Sequence, residues 1–157
     1  MNKFDLAPLS AALSAQQTHN DLLKVNTETE VYGLTLNEQQ IAALMQTHTE
    51  VLQKTGRIEF GGGVTAQLIR RFCSSPYLSQ QNYEEALHEL IALFYEAKNA
   101  TLDTVSDHQL IGFLRNAFDG VCRGSLELLS EWALPALARH IRSGQKFSSC
   151  RLEEEML

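Results

Sequence analysis

Between Arg57 and Gly63 the chain reads Arg-Ile-Glu-Phe-Gly-Gly-Gly, and this run carries its strongest chemical suggestion. Glycines let a ligand approach the backbone closely, and a helix that starts after them presents unpaired amide donors with partial positive charge. An anion could be held there by Gly61, Gly62 and Gly63, assisted by Arg57 or by Arg70 and Arg71, with Glu59 beside it. The run lacks the Gly-Lys-Ser/Thr ending of a phosphate loop and the strand and acidic follow-up of a dinucleotide fold. The plainer reading is a joint between two helices, with Ile58 and Phe60 tucked inward and Arg57 paired with Glu59 or a neighbour.

Other chemistry is incomplete. Glu85 and His88 match one half of the Glu-x-x-His arrangement with which helical bundles hold two metal ions, but no second pair stands elsewhere, and Glu127 and Glu131 have no His to join them. A solvated acidic face is expected there, with no metal and no cofactor. Cys122 precedes Gly124 and Ser125 at a helix start, where a thiol can become nucleophilic. None of His19, His48, His88, His108 or His140 is put beside it by spacing, so a small buried hydrophobe before a glycine turn and a serine cap is preferred. No catalytic residue is assigned. Arg139, Arg142, Lys146 and Arg151 gather near one end while Glu84, Glu85, Glu89 and Glu96 line another segment, an asymmetry suited to self-association or to docking a protein partner.

The elements that must position these residues are helices. The 157 residues suit one domain, and 44% hydrophobic against 20% charged residues is a globular balance. Thirteen Lys and Arg against nineteen Asp and Glu give −6, which excludes a broad cationic footprint for duplex nucleic acid. Cys73, Cys122 and Cys150 form an odd, widely spaced set, read as thiols of a reducing compartment. With neither an export signal nor an apolar run long enough to cross a membrane, a cytoplasmic protein is expected.

Along the chain, residues 1–31 read as a partly mobile arm, with Leu22, Leu23 and Val25 forming a turn or two of helix. Thr35 and Glu38 fit a capping box opening a helix with Ile41, Leu44, Met45, His48 and Leu52 on one stripe and Gly56 as its stop. A second helix carries Val64, Leu68, Ile69 and Phe72, and ends before Ser74, Ser75 and Pro76. The next places Tyr83, Leu87, Leu90, Phe94 and Ala97 inward, widened by Ile91 and Tyr95, so it should meet several neighbours. Ser106 and Gln109 cap a fourth, with Leu110, Ile111, Leu114, Ala117 and Phe118 inside. The last region buries Leu126, Leu129, Trp132, Ala136, Leu137 and Ile141, and Pro135 should kink or break it near Leu134. Gly144 closes it. The pattern predicts an all-α, single-domain bundle of about five helices over 32–144, followed by a tail over 145–157.

Four segments in order, Tyr32-Gly33-Leu34-Thr35-Leu36, Gly56-Arg57-Ile58-Glu59-Phe60-Gly61, Phe72-Cys73-Ser74-Ser75-Pro76-Tyr77 and Cys122-Arg123-Gly124-Ser125-Leu126, resemble an uncharacterised family of small all-helical bacterial proteins, a domain of unknown function. The resemblance implies a helical, cytoplasmic domain and no activity or catalytic residue. The functional expectation is therefore a non-enzymatic interaction or regulatory module, acting on a protein partner or as a homodimer. The alternative is a domain or small enzyme that holds a small anion or phosphate ligand at the Arg57 to Gly63 turn.

Overall fold

The computed structural model describes residues 6–59 and 63–147. Gly61, Gly62, Cys150 and the tail from 148 onward lie outside the described residues, as does Phe60. Within them the protein is helical and contains no strand. The helices are α1 (Leu6–Thr29), α2 (Glu38–Lys54), α3 (Gly63–Phe72), α4 (Tyr83–Ala100), α5 (Asp107–Asp119), α6 (Leu126–Leu128) and α7 (Leu134–Arg142). A 3₁₀ turn, Glu30–Tyr32, follows α1, and a π-helical turn, Leu129–Ala133, joins α6 to α7 in one continuous run.

Local chemistry sets most of the boundaries. α2 starts two residues later than the Thr35–Glu38 pairing suggests, because Asn37 is its cap. The Asn37 side chain accepts from the Gln40 amide at 2.8 Å, and the Asn37 amide donates to Gln40 Oε1 at 2.9 Å. Thr35 is engaged elsewhere: its amide and carbonyl pair with the side chain of Gln80. α2 ends as expected at Gly56, where φ is +69°. The amide of Gly56 bonds the Gln53 carbonyl and that of Arg57 bonds the Leu52 carbonyl, a Schellman closure that fixes the backbone of Arg57. Ser106 and Gln109 form the expected box on α5.

α4 is the axis of the bundle, touching α2, α3, α5, α6 and α7. Its buried set, which includes Tyr83, Leu87, Leu90, Ile91, Phe94 and Tyr95, covers more than one face, as the wide stripe predicts. α1 is longer than the one or two turns expected, and it packs on α2 and α3 through the buried Leu22 and Val25. Asn26 grips the backbone of Leu36 at both its amide and its carbonyl, and Thr29 bonds the Leu34 carbonyl, so the 30–36 segment folds back onto α1.

Pro135 acts one turn upstream of itself. Lacking an amide proton, it cannot continue the ladder to the carbonyl four residues back, and the chain accommodates it with the widened turn Leu129–Ala133, closed by a bond from the Leu134 amide to the Leu129 carbonyl. That turn changes the face: Leu129 and Ala133 are buried, while Trp132, expected inward, is 38% exposed.

Two of the four sequence segments meet at Gly124. Its φ of +80° is a left-handed conformation, and a Cβ there would lie 2.4 Å from the Tyr77 ring. Tyr77 in turn sits edge-on to Phe118, and Ser75 bonds Asp119 at 2.6 Å. Gly124→Ala should therefore lower the free energy of unfolding by about 3 kcal/mol, combining left-handed strain with overpacking. Gly33, with a similar φ of +75° but open space around it, should cost only about 1 kcal/mol as alanine. Urea unfolding of the two variants side by side checks the difference.

Candidate functional site

The stop of α2 hands the chain directly to the residues singled out in the sequence. Arg57 turns toward the end of α4, where its guanidinium clasps Asp103 with two bonds, Nη2 to Oδ1 at 2.7 Å and Nη1 to Oδ2 at 3.1 Å. Nη1 also donates to Asn99 Oδ1 at 2.7 Å, and Asn99 donates back to the Thr55 carbonyl. These bonds hold the Asp103 carboxyl below its ordinary range and push the guanidinium further up. The receiving turn is strained, for Leu102 and Asp103 both have φ near +57°, at a cost of about 1 kcal/mol each. Lys98 stands behind it, donating to the Val105 carbonyl and pairing with Asp107 at 2.9 Å. The ends of α2 and α4 are thereby latched together.

The alternation across 57–59 runs opposite to expectation. Ile58, expected inward, is 89% exposed, and Arg57 pairs with Asp103 and not with Glu59. Glu59 is the residue that turns in, because two buried polar groups wait for it. Tyr95 on α4 donates its hydroxyl proton to Glu59 Oε2 at 2.6 Å. His48 on α2 lies 2.9 Å from the Tyr95 oxygen and 3.4 Å from Glu59 Oε1, both measured from Nε2. Since the tyrosine proton goes to the carboxylate, the Nε2–H tautomer of His48 is assigned as donor to the tyrosine oxygen.

Electrostatically this is a stabilised carboxylate. Burial pushes the Glu59 carboxyl up, but the hydrogen bonds from His48 and Tyr95, with the nearby His48 and Arg57 charges, outweigh it, and the group ends below its ordinary value. Burial and the bond to Glu59 push the Tyr95 phenol well up, so it stays a donor. The side chain of Glu59 is 28% exposed and that of His48 11%. Both residues line a cleft of about 400 Å³, together with Leu22 of α1, Met45 and Leu52 of α2, and the hydroxyl-bearing Ser14, Thr18 and Thr49.

Of the expected site residues, Arg57 and Glu59 therefore sit at one cleft, and Gly63 is the first residue of α3. His48 and Tyr95 were visible only as members of apolar stripes. The signal they carry is that a buried polar side chain on such a stripe needs a partner.

The remaining candidates are engaged otherwise. His88 bonds Glu84 at 3.1 Å and Thr47 at 2.5 Å, and among the described residues no three His, Cys, Asp or Glu side chains converge as a metal site. Cys73 and Cys122 are buried free thiols; burial pushes Cys122 up to about 11, which keeps it protonated at neutral pH. No helix among the described residues is long and apolar enough to cross a membrane.

A family model described as a family of unknown function, DUF6323, matches residues 21–147. No curated protein and no solved structure matches the chain.

Removing the Tyr95 hydroxyl takes away a bond to an ionised group while keeping the ring, so Tyr95→Phe should cost about 2 kcal/mol in urea unfolding. The pH dependence has a definite sign. Because the folded carboxyl titrates below its ordinary value of 4.5, the stability it contributes is complete above that value and is lost as pH falls through the lower folded one. Glu59→Gln should abolish that share of the acid-induced loss and leave the share due to Asp103, measured as unfolding midpoints at neutral and acidic pH.

Proposed function

The chain belongs to the DUF6323 family, and we propose from its site that it is a non-catalytic binding or regulatory module that docks a protein partner at the cleft between α1, α2 and the 57–59 link. One observation carries this reading. Ile58 is held out at 89% exposure on a backbone anchored on both sides, by the Schellman closure before it and by the inward Glu59 after it. Of the exposed large apolar side chains, Ile58 is the one that lines the cleft, while Leu102, 66% exposed, belongs to the turn latched to Arg57. Exposed apolar surface beside a cleft with polar groups is the usual character of a docking site.

The absence of catalysis in this reading is supported by the buried Cys73 and Cys122 thiols, which burial keeps protonated. Cytoplasmic residence in a bacterial cell fits the free thiols and the four segments resembling bacterial proteins. The charge of −6 fits a partner other than duplex nucleic acid.

The alternative, a domain or small enzyme holding an anion at the Arg57 to Gly63 turn, draws support from the start of α3 at Gly63. Against it, Arg57 would have to leave Asp103, and the Glu59 carboxylate would repel the ligand. Phosphate or nucleotides that stabilise the wild type and not Arg57→Ala would put the alternative in first place.

A photo-crosslinking amino acid at position 58, expressed in the native host, tests the docking reading. One dominant adduct is expected, with a partner or with a second copy, and it should be absent when the cross-linker is moved to the exposed Glu131 of the π-helical turn. Equal labelling from both positions would contradict it.

A further inference from the structure

Glu59 is not saturated by its two partners. A carboxylate offers about four acceptor positions, and here Oε2 accepts one short bond from Tyr95 while Oε1 meets His48 only at 3.4 Å. The open positions border the cleft. The charged or titratable groups among the cleft's lining residues are Glu59, His48 and Arg57, and the charge of Arg57 is offset by its two bonds to Asp103. What an entering group meets is therefore a negative charge. The same lining carries the apolar Leu22, Met45 and Leu52 and the hydroxyls of Ser14, Thr18, Thr49 and Thr65. The Thr49 hydroxyl donates its proton to the Met45 carbonyl, so its oxygen is left as an acceptor.

A group that fits has an apolar stem and a cationic tip. The choice between the two cationic side chains follows from geometry. A guanidinium is a planar fork that gains most when both oxygens of one carboxylate are free to take it side by side. At Glu59 each oxygen already has a partner, so a fork has to fit both of its bonds beside Tyr95 and His48. An ammonium is a point charge with three rotatable donors, and it can take one open position on Glu59 while its other protons turn to water or to whatever acceptor lies beside it.

Building on the docking reading, we infer that the partner anchors itself by placing a lysine side chain in this cleft, with the alkyl stem along Leu22, Met45 and Leu52 and the ammonium on Glu59. Ile58 then packs beside the backbone that carries the lysine. Specificity comes from the carboxylate, and contact area from the stem.

The test uses the full chain, isotope-labelled for amide NMR, and three probes: the Nα-acetyl N-methylamides of lysine, arginine and norleucine. The lysine probe should give saturable shifts at the amides of Thr49, Ile58 and Glu59, with a dissociation constant of about millimolar order for a single side chain. Norleucine, with a similar stem and no charge, should bind about tenfold more weakly or not at all, and arginine several-fold more weakly. Glu59→Gln should lose about tenfold for lysine, and Glu59→Asp should retain most of the binding. Ala15→Trp, which puts a large ring into the cleft from α1 and leaves Glu59 itself unaltered, should abolish the shifts.

Equal shifts with norleucine and lysine would overturn the lysine anchor while leaving docking in place. Stronger binding of arginine would overturn it in favour of a guanidinium. No shift with any probe would overturn it as well, and the docking reading would then stand or fall on the position-58 cross-link.

Discussion

The hydrogen bond from Tyr95 to Glu59 is the constraint on which the cleft depends, because it joins a loop residue to the central helix and gives a half-buried charge a reason to stay inside. Carboxylates avoid apolar surroundings unless something replaces their water, and here a phenol and an imidazole do so. With Glu59 turned in, its neighbour Ile58 is turned out. The exposed isoleucine and the inward acid are two sides of one arrangement.

That arrangement needs the ends of α2 and α4 at a fixed separation, which the Arg57–Asp103–Asn99 cluster supplies. Its cost shows in two consecutive left-handed residues, Leu102 and Asp103, and its compensation in the bidentate pair and the Lys98 contacts behind it. The pair is partly exposed, so its net worth is modest. Its importance lies in position: it keeps the link from swinging and leaves Arg57 unable to serve as a free cation at the cleft.

Much of the fold was legible in the sequence, since helices declare themselves by periodic apolar residues and by end signals close in the chain. The Ser106–Gln109 box, the Gly56 stop and the wide stripe of α4 are of that kind. Errors arose where two local solutions compete or where a distant residue decides. Thr35–Glu38 and Asn37–Gln40 both fit a capping pattern, and Gln80, 45 residues away, settles the matter by occupying the Thr35 backbone. Proline announced a distortion, but its form, a widened turn that leaves Trp132 partly in solvent, depends on packing. The site was half legible. Arg57 and Glu59 stood out as charges near glycines, yet their partners Asp103, Tyr95 and His48 come from elsewhere in the chain, and without them the burial of 57–59 reads the wrong way round.

The family match covers residues 21–147, which include Leu22, His48, Arg57 and Glu59 of the cleft, whereas Ser14, Ala15 and Thr18 of its lining precede it. The most direct test of the central claim is a carbon-detected NMR titration of the Glu59 side-chain carboxyl in the wild type and in Tyr95→Phe. An inward carboxylate held by the phenol and the imidazole titrates below the ordinary glutamate value, and its midpoint rises when the phenol is removed. A wild-type midpoint at or above the ordinary value, unmoved by Tyr95→Phe, would contradict the account.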